Sequence, residues 1–176
     1  MAGYIALLRG VNVGGITVRS AELRELFEGL GFGGVRTVLA SGNVAFESDR
    51  RETSAALKKR IEQALGERFG YAAWIVLVTR EHLADVVRDF PFDAEREGWH
   101  PYVLFGSDVA SLAELANSAG DLDAADDVIR RGNGVIYWHN RRARGIASSF
   151  AKLTAKARFK ETTTNRNLRT LVKLLA

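Results

Sequence analysis

The feature that most restricts the fold is the order of apolar patterns in the first 79 residues. Tyr4–Arg9 is a short apolar run that reads as a strand. Leu23, Leu26, Phe27 and Leu30 then recur at helical spacing, with Ser20 as the expected N-cap and Gly31 as the stop. Val35–Leu39 and Val44–Glu47 read as strands joined through Ala40-Ser41-Gly42-Asn43, a hairpin-type connection. Thr53 or Ser54 is placed to cap a second helix, which carries Leu57, Ile61, Ala64, Leu65 and Phe69 on one side. Trp74–Val78 supplies the fourth strand. A βαββαβ order leaves few arrangements open, because each helix must cross over and return the chain to the sheet.

That order is the split unit of a ferredoxin-like fold. The second half nearly repeats it. Thr79 is expected to cap a helix over about Arg80–Arg88, followed by a loop from Phe90-Pro91-Phe92 to Gly98. Tyr102–Phe105 reads as a strand and Val109–Asn117 as a helix. Val128–Arg131 and Val135–His139 flank Gly132-Asn133-Gly134, a tight-hairpin signal. The remainder reads as helical, ending in a helix capped by Asn165 with Leu168, Leu171, Val172 and Leu175 as its stripe. The second half is thus expected to be βαββα. The prediction is an α+β protein of two packed ferredoxin-like subdomains, residues 1–79 and 80–176, with antiparallel sheets and helices. The boundary falls between Thr79 and Trp99, and no low-complexity linker intervenes, so one globular unit is expected.

One comparison narrows the functional classes. Ferredoxin-like sheets that bind RNA leave one face open, with aromatic side chains for stacking. Here Tyr4–Leu8 and Trp74–Val78 are apolar on both parities, the pattern of a strand covered on both faces. Tyr4 and Phe46 are therefore expected in a core rather than on an open platform.

The 176 residues, 47% apolar and 26% charged, are those of an ordinary globular chain. No apolar run approaches the roughly 18 residues that span a bilayer, and no signal peptide is read at the N-terminus. Membrane contact is not expected, and a cytoplasmic location is. The absence of cysteine rules out disulfides, Cys-ligated zinc, iron–sulfur clusters and a thiol nucleophile. His82, His100 and His139 lack metal-ligand spacing, and Asp121, Asp123, Asp126 and Asp127 lack the calcium-loop pattern, so neither a metal nor a cofactor is expected. No catalytic dyad or nucleophile elbow stands out, and whether the protein is an enzyme stays open.

Charge is uneven. From Val128 to Ala176, twelve basic residues face Glu161 alone, an excess of +11; the chain's net +4 leaves −7 for the first 127 residues. Arg130, Arg131, Arg141, Arg142 and Arg144 make this segment a candidate nucleic-acid surface. The competing expectation is that the acidic first part neutralises it.

Three segments carry candidate ligand chemistry. In Arg9-Gly10-Val11-Asn12-Val13-Gly14-Gly15, glycines free the backbone to point amides at an anion, and Arg9 adds a fork for phosphate or carboxylate. The spacing is neither a Walker A loop nor a dinucleotide fingerprint. Ser41-Gly42-Asn43 offers polar groups in a turn, or simply satisfies that turn. Thr162-Thr163-Thr164-Asn165-Arg166-Asn167 reads as a helix start able to seat an anion, or as ordinary capping.

Taken together, Tyr4 to Gly15, Val35 to Phe46 and Thr164 to Thr170 resemble a bacterial family known only as domain of unknown function 1697. The resemblance extends over essentially the whole chain and implies two ferredoxin-like subdomains. It also implies that Arg9, Gly10, Asn12, Gly14, Gly15, Ser41, Gly42, Asn43, Arg166 and Asn167 belong to recurring motifs. There are departures: Ile16-Thr17-Val18-Arg19 stands where lysine and asparagine are usual, and Leu168 where tryptophan is common.

The functional expectation is that the three motifs converge on one phosphate-accepting site. Arg9 and Arg166 would bind the anion, and Asn12, Asn43 and Asn167 would orient the ligand. A nucleic-acid-binding protein is the first expectation. An enzyme or binder for a phosphorylated small molecule is the second, and a structural or interaction role for the motifs is the third.

Overall fold

The computed structural model describes residues 1–11, 15–40, 42–49 and 51–176. Contacts divide the chain into unit 1, residues 1–84 with 172–176, and unit 2, residues 85–171.

Unit 1 holds β1 (Ala2–Leu8), α1 (Ser20–Gly29), β2 (Gly33–Thr37), β3 (Asn43–Ser48), α2 (Ser54–Phe69) and β4 (Ile75–Thr79). Its antiparallel sheet runs in the order β2-β3-β1-β4, as the split βαββαβ pattern requires. Helix α1 buries Leu23 and Phe27, and Gly31 follows it at φ 89°. The expected Ser20 cap is corrected: Ser20 is already helical, and Arg19, in the cap position, makes no side-chain capping bond. Helix α2 begins as expected, with Thr53 Oγ1 accepting from the Ala56 N–H at 3.1 Å. It ends at Gly70, whose φ of 69° places it in the left-handed region. Leu57, Ile61 and Leu65 pack with Ala6, Leu8, Phe27, Phe32 and Phe46 into the core between helices and sheet. Ile5 and Leu7, on the other face of β1, are equally excluded from solvent. Strand β1 is therefore buried on both faces, as its double apolar parity predicts.

Helix α3 (Arg80–Arg88) starts where Thr79 Oγ1 accepts from the His82 N–H at 3.1 Å. Unit 2 then contains β5 (Trp99–Gly106), α4 (Val109–Ser118), β6 (Asp127–Arg131) and β7 (Val135–Arg141). After a 3-10 turn at Gly145–Ala147 come α5 (Ser149–Thr154), α6 (Ala157–Lys160) and β8 (Thr163–Asn167). Gly134, at φ 73°, turns the β6–β7 hairpin, and the Gly132 N–H reaches the Val135 carbonyl at 2.9 Å.

The βαββα expectation for this half is corrected by β8. Thr163 and Thr164 are β-branched and extended, and β8 pairs with β5 from Tyr102↔Asn167 to Gly106↔Thr163. The order β6-β7-β5-β8 therefore repeats that of unit 1. The last helix, α7 (Leu168–Leu175), is capped by Asn167, not Asn165: Asn167 Oδ1 accepts from the Arg169 N–H at 2.9 Å. Its final turn belongs to unit 1. There Arg36 donates to the carbonyls of Lys173, Leu174 and Ala176 at 2.8–2.9 Å, and Arg80 to that of Leu175. Guanidinium groups thus satisfy carbonyls that the helix end leaves unpaired.

Among the described residues, no helix is long and apolar enough to cross a membrane.

Candidate functional site

In unit 1 the first two motifs meet. The Leu8 N–H donates to the Gly42 carbonyl at 2.8 Å, locking the end of β1 to the turn before β3. Gly42 has φ 74°, and a Cβ there would lie 2.7 Å from Leu8 Cβ and 2.8 Å from Val11 Cγ2. Only glycine fits that approach. Asn43 is wholly buried. Its Nδ2 donates to the Val38 carbonyl at 2.8 Å, while the Val38 N–H donates to the Asn43 carbonyl at 3.0 Å. The Gly-Asn pair thus shapes the turn. At the tip, Leu39 is exposed at φ 57°, a strained conformation for a leucine.

Arg9 is half-buried, with its guanidinium 5.6 Å from the Trp74 ring centroid. An aromatic face holds a cation without neutralising it. Gly10 and Gly15 are exposed at φ 73° and 114°. Asn12, Gly14 and Ser41 lie outside the described residues.

The third motif is in unit 2, on β8, so the expected anion seat at a helix N-terminus is corrected to a strand. Strand alternation gives its residues different surroundings. Asn165 pairs with Leu104 and Asn167 with Tyr102, which places both asparagines on the helix-side face. Arg166 pairs with Val103 on the opposite face and is buried; its Nη1 donates to Thr164 Oγ1 at 2.6 Å and to the Asn165 carbonyl at 3.0 Å. Burial lowers its pKa to about 10, which leaves it charged at neutral pH.

Beside this motif unit 2 has a feature that no local sequence pattern announces: a cleft of about 410 Å³. His100 and Tyr102 from β5, Trp138 and Asn140 from β7, Asn165 from β8 and Ile146 from the 3-10 turn line it. Three rings form a ladder along it. His100 lies 5.2 Å from Tyr102 at 28°, and Tyr102 lies 5.1 Å from Trp138 at 40°. Ile146, on the rim, is 93% exposed, an unusual position for a large aliphatic side chain.

The floor is fixed by a buried carboxylate. Asp127 Oδ1 accepts from Trp138 Nε1 at 2.9 Å and from Asn140 Nδ2 at 3.1 Å, and Oδ2 accepts from the Phe150 N–H at 3.1 Å. Asn140 Nδ2 also donates to Ser148 Oγ at 3.1 Å, and Ser148 caps α5. Three donors satisfy the charge that burial would otherwise penalise. They also hold the cleft's tryptophan and asparagine in one orientation.

Two arginines act on the mouth, Arg142 and Arg169, the second paired with Glu95 at 3.7 Å. The pKa of His100 is lowered, first by desolvation and then by the charges of Arg142 and Arg169. Burial raises that of Tyr102, with Arg142 opposing. At neutral pH the cleft therefore offers a neutral imidazole and a neutral phenol beside two arginines.

The five candidate nucleic-acid-binding arginines are all exposed, but they form two groups. Arg130 and Arg131 stand at the hairpin end of β6, opposite Tyr137 and Ile136, so alternation sends them to opposite faces. Arg141, Arg142 and Arg144 cluster at the other end of the same strand pair, nearest the cleft. Asp126 partly balances that cluster, 3.7 Å from Arg141 and 3.2 Å from Arg144.

Sequence reasoning missed His100, Tyr102, Trp138, Asn140, Asn165 and Arg169 as a group. Alternation along Trp99–Gly106 was a signal for the first two; the others are joined only by strand register.

The face of unit 2 away from the helices is closed within the same unit. Phe92 stacks on His139 with centroids 5.4 Å apart, and Phe90 meets Tyr137 edge-on at 5.6 Å. The 89–98 segment thus covers aromatics that an RNA platform would leave open. His139 is buried, its Nε2 finds no partner among the described residues, and its pKa is lowered, first by desolvation and then by Arg96. Among the described residues, no group of three His, Asp or Glu is placed to share a metal ion.

Comparison with known proteins agrees with this architecture. Residues 1–137 match the profile of DUF1697, described as a protein of unknown function. The conserved bacterial protein SP0830 from Streptococcus pneumoniae superposes with a TM-score of 0.83 at 25% identity, over 99% of this chain and 97% of that one. No functionally curated protein matches. The chain belongs to the DUF1697 family.

Proposed function

We propose that this family member binds single-stranded nucleic acid through the aromatic cleft of unit 2 and its cationic mouth. The observation that carries this reading is the pairing of Arg142 and Arg169 with the His100–Tyr102–Trp138 ladder. Single-strand binding needs cations for the phosphates and ring faces for the bases; here the rings line the cleft, and Arg142 and Arg169 lie near enough to His100 to lower its pKa. Arg141 and Arg144 extend the cationic end. Arg130 and Arg131 lie roughly 15 Å further along the β6–β7 pair, at about 3.3 Å per residue. Arg9 and Gly10 of unit 1, a ring-held guanidinium beside an exposed glycine amide, are proposed as a further phosphate contact. A cytoplasmic location is part of the same proposal and rests on the cysteine-free sequence.

Fluorescence anisotropy of labelled mixed-sequence RNA and DNA tests it. Binding is expected to be strong at low salt and to collapse as salt rises, with log K falling by about 0.7 per phosphate contacted for each decade of salt. Absence of binding at low salt would overturn the proposal.

A second reading has its own support. The cleft volume is within the roughly 300–1,000 Å³ of small-ligand pockets, which favours a phosphorylated small molecule held there. That reading predicts weak salt dependence and saturation by a mononucleotide. In unit 1, Gly42 and Asn43 favour a structural part for their motif, because their observed contacts close the turn.

A further inference from the structure

The proposed nucleic-acid reading leaves open whether the cleft merely stacks any base or tells one base from another. We infer that it selects bases carrying an exocyclic amino group, and that it takes cytosine over uracil. This inference rests on the proposed reading and goes one step beyond it.

Asn140 lines the cleft. An asparagine amide has a donor end and an acceptor end, and its flip is set by the hydrogen bonds it makes. Here the nitrogen is held between Asp127 Oδ1 at 3.1 Å and Ser148 Oγ at 3.1 Å. Asp127 is an acceptor only, so reversing the amide would set oxygen against carboxylate. The nitrogen is thereby committed, and Oδ1 is the end left for a ligand.

A fixed acceptor beside a stacking surface discriminates by hydrogen-bond chemistry. Cytosine and uracil have the same ring size. Cytosine presents an amino donor where uracil presents a carbonyl oxygen. Against a fixed acceptor the first forms a hydrogen bond and the second meets a like dipole. Unpaired polar groups in a closed site are costly, which gives such sites their selectivity. Adenine also carries an amino donor and belongs to the accepted class.

The other lining residues complete the pocket. A base added to the ladder stacks on His100 and Tyr102. Ile146, left 93% exposed on the rim, covers its outer face. Asn165 is exposed on β8, its side chain makes no hydrogen bond among the described residues, and its amide can turn to suit the remaining base edge. Asn140 therefore sets the choice, and Asn165 adapts to it. The arginines at the mouth contribute to affinity for every sequence alike.

The test compares four ligands at one low salt concentration: labelled oligo(C), oligo(U), an abasic oligomer of equal length, and unlabelled cytidine monophosphate as competitor. The expected order is oligo(C) tightest, oligo(U) weaker by about tenfold, and the abasic oligomer weakest. Tyr102→Leu should bring oligo(C) down to the abasic level without changing abasic binding. Asn165→Ala, an exposed substitution that leaves the fold intact, should weaken oligo(C) by a few-fold and serves as a second variant should Tyr102→Leu not fold. Equal binding of the three oligomers would overturn the base pocket while leaving polyanion binding in place. Uracil preferred over cytosine would overturn the role of Asn140. Displacement by cytidine monophosphate at equal concentration would keep the pocket and overturn its assignment to nucleic acid. If no oligomer binds, the base pocket and the nucleic-acid reading both fall.

Discussion

Units 1 and 2 follow the same order of strands and helices and place a tyrosine at the same register, yet the ring pair of unit 1 borders a pocket of about 80 Å³ and that of unit 2 a cleft of about 410 Å³. Tyr4 of β1 pairs across the sheet with Phe46, and Tyr102 of β5 with Trp138. In unit 1, Phe46 is packed by Phe32 at 4.5 Å and Phe27 at 5.3 Å, under the 16-residue helix α2, about 24 Å long. In unit 2 the corresponding connection is broken into the 3-10 turn, the six-residue α5 and the four-residue α6. Short helices cover less sheet. The uncovered end carries His100, Asn140 and Asn165 at the register positions where unit 1 has Ala2, Ser48 and Leu77. The comparison teaches that one topology leaves a small or a ligand-sized space beside the same ring pair, the larger one where the crossover is broken into short helices.

The largest expected effect tests the floor of the cleft. Asp127→Ala removes the acceptor for Trp138, Asn140 and Phe150 and leaves buried donors unpaired. A stability loss of about 4 kcal/mol is expected, with loss of oligonucleotide binding, read by denaturant unfolding and anisotropy. A loss below about 1 kcal/mol would show that the network does not organise unit 2.

Gly42→Ala is the matching test in unit 1. The added methyl meets Leu8 and Val11 below 3 Å at a positive φ, so about 3 kcal/mol of stability is expected to go. Nucleic-acid affinity of the protein that remains folded should change little, because unit 2 carries the cleft. A large affinity loss in folded protein would instead give the glycine loop the leading part.

Charge removal sharpens the contrast further. The double variant Arg142→Ala/Arg169→Ala should make the salt slope shallower by about 1.4, two contacts at about 0.7 each. Arg9→Ala should change it by at most half as much.

The smallest effect is in proton linkage. The pKa of His100 is depressed by burial and two arginines, so the free protein keeps it neutral until the pH falls below the ordinary histidine value. A bound phosphate offsets those cations and raises the pKa, so binding takes up a fraction of a proton and affinity should rise as the pH falls. NMR titration of the His100 ring with and without oligonucleotide checks the sign. His139 provides a stability control. Its folded pKa is also depressed, so its neutral form is the stabilising one: that stability is present above the unfolded value and is lost as pH falls through the folded pKa. His139→Phe should remove that acid sensitivity without altering binding.

Much of the architecture was legible because local chemistry agreed with the fold. Thr53, Thr79, Gly31 and the Gly132-Asn133-Gly134 turn sit where capping and hairpin rules place them. Strand β8 was not legible, since Asn165 and Asn167 resemble helix caps and only pairing with β5 makes Thr163–Asn167 extended. Arg142 was visible in the charge pattern. The cleft was not, because His100, Trp138 and Asn165 are brought together by strand register and by the short α5 and α6.

The most direct test of the central claim is backbone amide NMR mapping during titration with a short single-stranded oligonucleotide. The account predicts that the largest shift changes fall on residues 100–102, 138–146, 165 and 169. Changes confined to residues 9–19 and 38–43, or no changes at low salt, would contradict it.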